Sequence, residues 1–147
     1  MNNLFIYYSF TGSGDVVAEN LKDKGFEIRK VIRKKKMPKS FFFGVLHGGF
    51  LAGTNHKDKL VDYDNNVDGY ENIYIGSPIW NGRFSSPINT VLATTDLSNK
   101  NVTFILYAGS GTGPKAVKRI EKNYPNGKII LLKEPKKYPE ELKKLDF

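Results

Sequence analysis

The sequence predicts an α/β fold, a parallel sheet with helices on both faces, and two observations carry that reading. Three segments, LFIYY at 4–8, NIYIGS at 72–77 and VTFILYA at 102–108, are nearly continuous apolar or aromatic runs, the pattern of strands covered on both faces. Helical patterns fall between these runs, and such alternation means parallel strands joined by helical crossovers. The 147 residues suit a single domain over 1–147 and can bury a core without disulfides or metal.

Each element has its own signal. After the first strand, Asp15 to Lys24 places Val16, Val17 and Leu21 on one helical face and Glu19, Lys22 and Asp23 on the other, and Gly25 ends the helix. FEIRKVI at 26–32 alternates apolar and charged residues, so this strand belongs at or near an edge. Pro38 to Gly69 is the least readable stretch, with a short helix expected near Ser40–Phe50 and a loop after it. Ser86 as cap and Pro87 in the first turn open a second helix running through Val91 and Leu92. Gly113-Pro114 opens a third, with Ala116, Val117 and Ile120 on its apolar face. KIILL at 128–132 follows the turn Pro125-Asn126-Gly127 and is a further strand. A last short helix, PEELKKL, starts at Pro139, acidic first and basic last as the helix dipole prefers.

Composition closes several routes. The chain has no cysteine, which excludes disulfide scaffolds, thiolate zinc sites and thiol catalysis and fits a cytoplasmic location. MNNLFIYY lacks the basic start of a signal peptide, and the longest apolar stretch, SFFFGVLHGGFLAG, is too short to cross a bilayer. The net charge of +8 concentrates in RKVIRKKKMPK and in the tail after Lys115. Solvated lysine-rich faces account for it, and no nucleic-acid module accompanies it. His47 and His56 have no other ligand candidates at metal spacing, and Phe41-Phe42-Phe43 reads as a helix packed on the sheet.

The segment SFTGSG, Ser9-Phe10-Thr11-Gly12-Ser13-Gly14, turns the first strand into the first helix. A small-residue loop at a helix start exposes backbone N–H groups that hold an anion. A Walker loop would need a lysine followed by Ser or Thr, which is absent. A dinucleotide fingerprint is met by Gly12 and Gly14 but not by Val17, and the second strand runs out into Arg33, Lys34 and Lys35 rather than into an acid, which leaves that reading only as an NADP variant. The alternating hydroxyls of Ser9, Thr11 and Ser13 suit a monophosphate such as that of FMN; a plain turn with a helix cap is the bland alternative.

With two further segments the chain resembles a flavodoxin. SFTGSG is similar to the family's S/T-x-T-G-x-T phosphate motif. YIGSPIWNGRFSSPINTVL at 74–92 resembles its third strand and first flavin loop, and LYAGSGTG at 106–113 its fourth strand and second flavin loop. The resemblance implies a three-layer α/β/α flavodoxin-like fold with a five-stranded parallel sheet in the order 2-1-3-4-5, and FMN at the switch point between strands 1 and 3, the example the fold's general rule uses. The chain departs from the family at Gly14, where the motif's last hydroxyl falls, and in its basic rather than acidic charge.

The resemblance also implies the site. The first loop would take the phosphate. Pro78, Ile79, Trp80, Asn81, Gly82, Arg83 and Phe84 would face the ring, with Trp80 against it and Tyr107 or Phe84 as another wall. A peptide at Asn81–Gly82 or Gly82–Arg83 would reorient to favour the one-electron flavin, Asn-Gly accepting positive φ at little cost. Arg83 would add positive charge near the reduced flavin. Ala108, Gly109, Ser110, Gly111 and Thr112 would offer N–H groups to the pyrimidine edge. The leading function is a monomeric FMN-binding electron carrier serving redox partner proteins, acidic ones if the basic surface is used. The alternatives are an FMN-dependent NAD(P)H:quinone-type oxidoreductase and a fold that has lost FMN and serves as an interaction module.

Overall fold

Alternation along each strand sends side chains to opposite faces of the sheet, and both faces are apolar here. The structure, a computed structural model, describes residues 2–34 and 57–147. The helix expected near 40–50, Phe41–Phe43, His47 and His56 lie outside the described residues. The strands are β1 (Asn3–Tyr7), β2 (Glu27–Lys30), β3 (Asn72–Trp80), β4 (Arg83–Phe84), β5 (Asn101–Ala108) and β6 (Lys128–Lys133). The α-helices are α1 (Ser13–Asp23), α2 (Ser86–Thr94) and α3 (Pro114–Asn123). Five strands run parallel in the order β2-β1-β3-β5-β6, and β4 pairs antiparallel with the end of β3. Leaving out the two-residue β4, this is the expected order 2-1-3-4-5, with FEIRKVI at an edge.

One face carries Leu4, Ile6, Ile73, Ile75, Phe104 and Leu106 against Ile88 and Val91 of α2 and Ala116 and Ile120 of α3. The other carries Phe5, Tyr7, Ile105 and Tyr107 against Val17, Ala18 and Leu21 of α1. Burial of each large aliphatic side chain contributes roughly 1.5–3 kcal/mol, so these two layers hold α1, α2 and α3 against the sheet. Among the described residues no helix is long and apolar enough to cross a membrane.

Three differences from the sequence reading have a physical cause. β3 continues to Trp80, because its last two residues pair with β4. Ser85, not Ser86, occupies the cap position of α2, and the Ser86 hydroxyl instead donates to Asp58 at 2.6 Å. PEELKKL winds as a 3-10 helix over Pro139–Leu145. Its two apolar residues, Leu142 and Leu145, are three apart and both pack on the α1 face, and three-residue spacing falls on one side of a 3-10 turn.

Asp58 is the centre of a buried clasp. Its carboxylate pairs with Arg33, the two side chains only 9% and 4% exposed, and its carbonyl accepts from Thr90. Backbone bonds from Lys34 to Lys59 and from Val61 to Ile32 lie beside it. The clasp ties the exit of β2 to the first turn of α2. Breaking a buried pair leaves an uncompensated charge, whereas an exposed pair contributes little. Asp58→Ala is therefore expected to lower stability by about 3 kcal/mol in urea unfolding. Removing the exposed Asp146 partner of Lys24 should cost no more than about 0.5 kcal/mol.

Candidate functional site at the carboxyl ends of the strands

The chain leaves β1 toward β2 on one side and returns to β3 on the other, so the carboxyl ends of β1 and β3 open a crevice. A pocket of about 270 Å³ lies there. Ser9, Phe10, Thr11 and Ser13 line it from the first loop, and Pro78, Ile79, Trp80 and Asn81 from β3 and the turn beyond. Ala108 and Gly109 come from the end of β5, with Tyr107 and Glu134 beside them. The three loops singled out in the sequence thus converge on one hollow.

In the first loop the helical ladder starts with the Val16 N–H donating to the Gly12 carbonyl at 3.1 Å, which leaves the amides of the first turn outside it. The buried Ser9 hydroxyl makes no well-formed hydrogen bond, its contact with the Asp15 carboxylate being the weakest of those that lower the Asp15 pKa. Asp15 itself turns away, accepting from Tyr7 at 2.8 Å and from Lys30 at 2.9 Å. Burial pushes the Asp15 pKa up, but the hydrogen bonds from Lys30 and Tyr7 outweigh it and hold the carboxyl below its ordinary value. Burial, reinforced by Asp15, pushes the Tyr7 hydroxyl upward.

Gly14 has a steric explanation. A Cβ there would lie 2.5 Å from the Tyr107 hydroxyl and 2.9 Å from both Ser9 Cβ and Tyr7 Cδ2. The Tyr107 hydroxyl, which donates to the Tyr8 carbonyl, takes the space that a side chain at position 14 would need.

Trp80 lines the pocket but is only 6% exposed. Tyr8 and Phe10 meet its ring edge-on, at centroid distances of 5.8 and 6.1 Å. Asn81 and Gly82, with φ of 52° and 75°, form the two-residue loop between paired Trp80 and Arg83. Positive φ at both positions is the type I′ hairpin turn that Asn-Gly favours. The Gly82 carbonyl accepts the Ala116 N–H at 2.9 Å, which fastens the turn to α3.

Not every residue singled out faces the pocket. Phe84 is 1% exposed in the core, beneath the Arg119 guanidinium and against Phe104. Arg83 lines a second hollow, of about 370 Å³, between β4 and α3. Lys115, Lys118, Arg119 and Lys122 line it too, with no acidic residue among its walls. In the second loop, Gly111 donates to the Ala108 carbonyl and Thr112 to the Ser110 hydroxyl, so its own turn uses two of the amides expected to be open.

Two residues near the pocket escaped the sequence reading. Glu134, at φ 34°, donates its N–H to the Ala108 carbonyl at 3.2 Å and sets its carboxylate beside Gly109. Lys136 crosses to the first loop, where its ammonium donates to the Thr11 carbonyl at 3.3 Å. A break after β6 at Glu134-Pro135 was the only local sign of either. Among the described residues no group of three His, Cys, Asp or Glu could hold a metal.

A crevice at the switch point of a doubly wound parallel sheet defines the class of α/β proteins that bind ligands outside the carboxyl ends of their strands. Within that class the chain belongs to the flavodoxin family, whose model matches residues 51–144. Among solved structures, a candidate flavoprotein from Bacteroides eggerthii aligns with a TM-score of 0.78 at 20% identity, over 97% of this chain and 96% of that one. A flavoprotein in complex with FMN from Lactobacillus acidophilus aligns with a TM-score of 0.65 at 23% identity, over 88% and 89%. At these identities the likeness is one of fold. No curated protein matches the chain.

Two predictions follow from the loop. Gly14→Ala gains helix propensity but overpacks, and overpacking costs typically about 1–3 kcal/mol. Net destabilisation is expected in thermal unfolding, and it should shrink in a Tyr107→Phe background, which removes the nearest atom. A depressed folded-state pKa contributes stability above the unfolded carboxylate value near 4, lost as pH falls through the folded value. Asp15→Asn should therefore flatten the acid limb of the stability profile. At neutral pH it should cost about 0.5 kcal/mol, since the pair with Lys30 is nearly half exposed.

Proposed function

We propose that the chain binds FMN in the pocket at the ends of β1, β3 and β5 and works as a small electron carrier. The observation that carries this is the buried Ser9 hydroxyl, held only by a weak contact with Asp15, set in a loop with two further hydroxyls and open helix-start amides, in the same hollow as Trp80. Buried polar groups are rarely left without a partner, and a phosphate oxygen would satisfy this one. FMN would supply one- and two-electron redox chemistry, and the chain supplies binding, orientation and electrostatics.

Ser9, Thr11 and Ser13 would hold the phosphate, and Trp80 with the 78–82 segment would flank the ring. Ala108 and Gly109 would approach its polar edge. Of the two peptides in the hairpin turn, Gly82–Arg83 is held by Ala116, so the Asn81 carbonyl is the one left to turn toward the cofactor. Reversing that central peptide converts the turn to type II′, whose first residue is best a glycine.

The hollow lined by Arg83 and the α3 lysines adjoins this turn, since Gly82 faces the Pro114 and Lys115 side chains. Its charge supports docking by acidic partner proteins, and Arg83 would act on the flavin from that side, at longer range than a pocket residue.

The test is the absorption spectrum of purified protein titrated with FMN. A bound flavin spectrum is expected, weakened about tenfold or more in affinity by Trp80→Ala, as for loss of a stacked aromatic. A protein that stays colourless overturns the proposal. Direct oxidation of NAD(P)H by the loaded protein would replace the carrier by an enzyme. Asn81→Gly, which lowers the strain of the reversed turn, should raise the yield of one-electron flavin during reductive titration.

A further inference from the structure

We infer that Lys136 is a phosphate-binding residue of this site, supplying from the chain's far end a charge that the SFTGSG loop lacks. The inference rests on the FMN reading above. The loop itself offers neutral donors only, and Gly14 removes one of the hydroxyls the motif would carry. A phosphate monoester bears close to two negative charges at neutral pH, and charge-assisted hydrogen bonds are about twice as strong as neutral ones.

Lys136 stands where that charge is needed. Its ammonium donates to the Thr11 carbonyl at 3.3 Å, and its Cδ and Nζ lie 3.0 Å from the position a Cβ on Gly12 would take. A side chain at position 12 would therefore displace the lysine. The other two donors of the ammonium are available to an anion on the loop.

The lysine is also held in place from behind. Glu134 donates its N–H to Ala108, and the Glu134 carbonyl accepts from both Lys137 and Tyr138 at 2.9 Å. These bonds close a tight turn at residues 134–138, with Pro135 buried beneath it. The neighbouring lysines point elsewhere, since Lys133 and Lys137 both lie over the Tyr138 ring. Lys136 alone of this group reaches the loop.

Comparing FMN with riboflavin, which has the same ring and no phosphate, isolates the effect. Lys136→Gln should raise the Kd for FMN about tenfold or more, the range for a hydrogen bond to a charged group, and leave the Kd for riboflavin unchanged. Lys136→Arg should keep most of the FMN affinity, and Lys137→Gln should keep all of it. The FMN preference of the wild type should fall with added salt more steeply than that of Lys136→Gln. Equal weakening of both flavins would make Lys136 a structural support and overturn the inference, as would unchanged FMN binding. Wild-type protein that binds neither flavin would overturn the FMN reading together with it.

Discussion

The site depends on one close contact, the Tyr107 hydroxyl against Gly14. Tyr107 stands on β5, with β3 between it and β1, yet its hydroxyl bonds the Tyr8 carbonyl where the chain leaves β1. That bond fixes the start of the SFTGSG loop, and the space it occupies fixes residue 14 as one without a side chain. Tyr7 acts on the same helix turn from the other side through Asp15. The first turn of α1 is thus located by two tyrosines from the sheet, and the loop hydroxyls are placed by that turn. Burial raises the Tyr107 pKa well above its usual value, which favours the neutral hydroxyl that donates this bond.

This contact changes the meaning of the departure from the family motif. Read along the chain, Gly14 looks like a lost phosphate ligand. In three dimensions it is the complement of a tyrosine 93 positions away, a number that follows from the two residue positions. The loop exchanges a hydroxyl at position 14 for a rigid support, and the cation at Lys136 reaches the same loop at Thr11 and Gly12. Support and charge therefore reach it from different elements, one from β5 and one from beyond β6.

What was legible in the sequence follows from which forces are local. The buried strands were readable because burial on both faces leaves an uninterrupted apolar run, and α1 because its faces differ over three turns. The three loops were readable as motifs, and they do converge on one pocket. β4 was not readable, since two residues carry no periodicity and Arg83-Phe84 is a strand only through its partner. The Ser86 hydroxyl was assigned to a cap because the pattern Ser-Pro fits one, while the buried Asp58 carboxylate, 28 positions away, outbid the helix end for it. Lys136 lies 125 residues from Thr11, and no spacing rule links them. Phe84 sits in a segment that resembles a flavin loop, yet it packs in the core against Phe104 and beneath Arg119, while Trp80, which pairs with Arg83 across the hairpin, borders the pocket.

The hairpin is also where the site meets the molecule's charge. Its turn is fastened to α3 by the bond between Gly82 and Ala116, and the cations of α3 at positions 115, 118, 119 and 122 fall on one helical face. The first-turn amides of α3 are largely spent: Pro114 has none, and Ala116 and Val117 donate to Gly82 and Gly113. This helix start therefore cannot cradle a phosphate in the way the start of α1 can, and its positive charge is carried by long side chains along the helix, of which Arg119 is held by Asn89 and the Phe84 ring. Such a surface suits the dispersed carboxylates of a protein better than the compact anion of a nucleotide, because electrostatic docking tolerates orientation while phosphate binding requires converging donors. Lys136 and the α3 cations thus divide by geometry. Lys136 reaches back to the first loop at the Thr11 carbonyl, and the α3 stripe lies beside the hairpin turn.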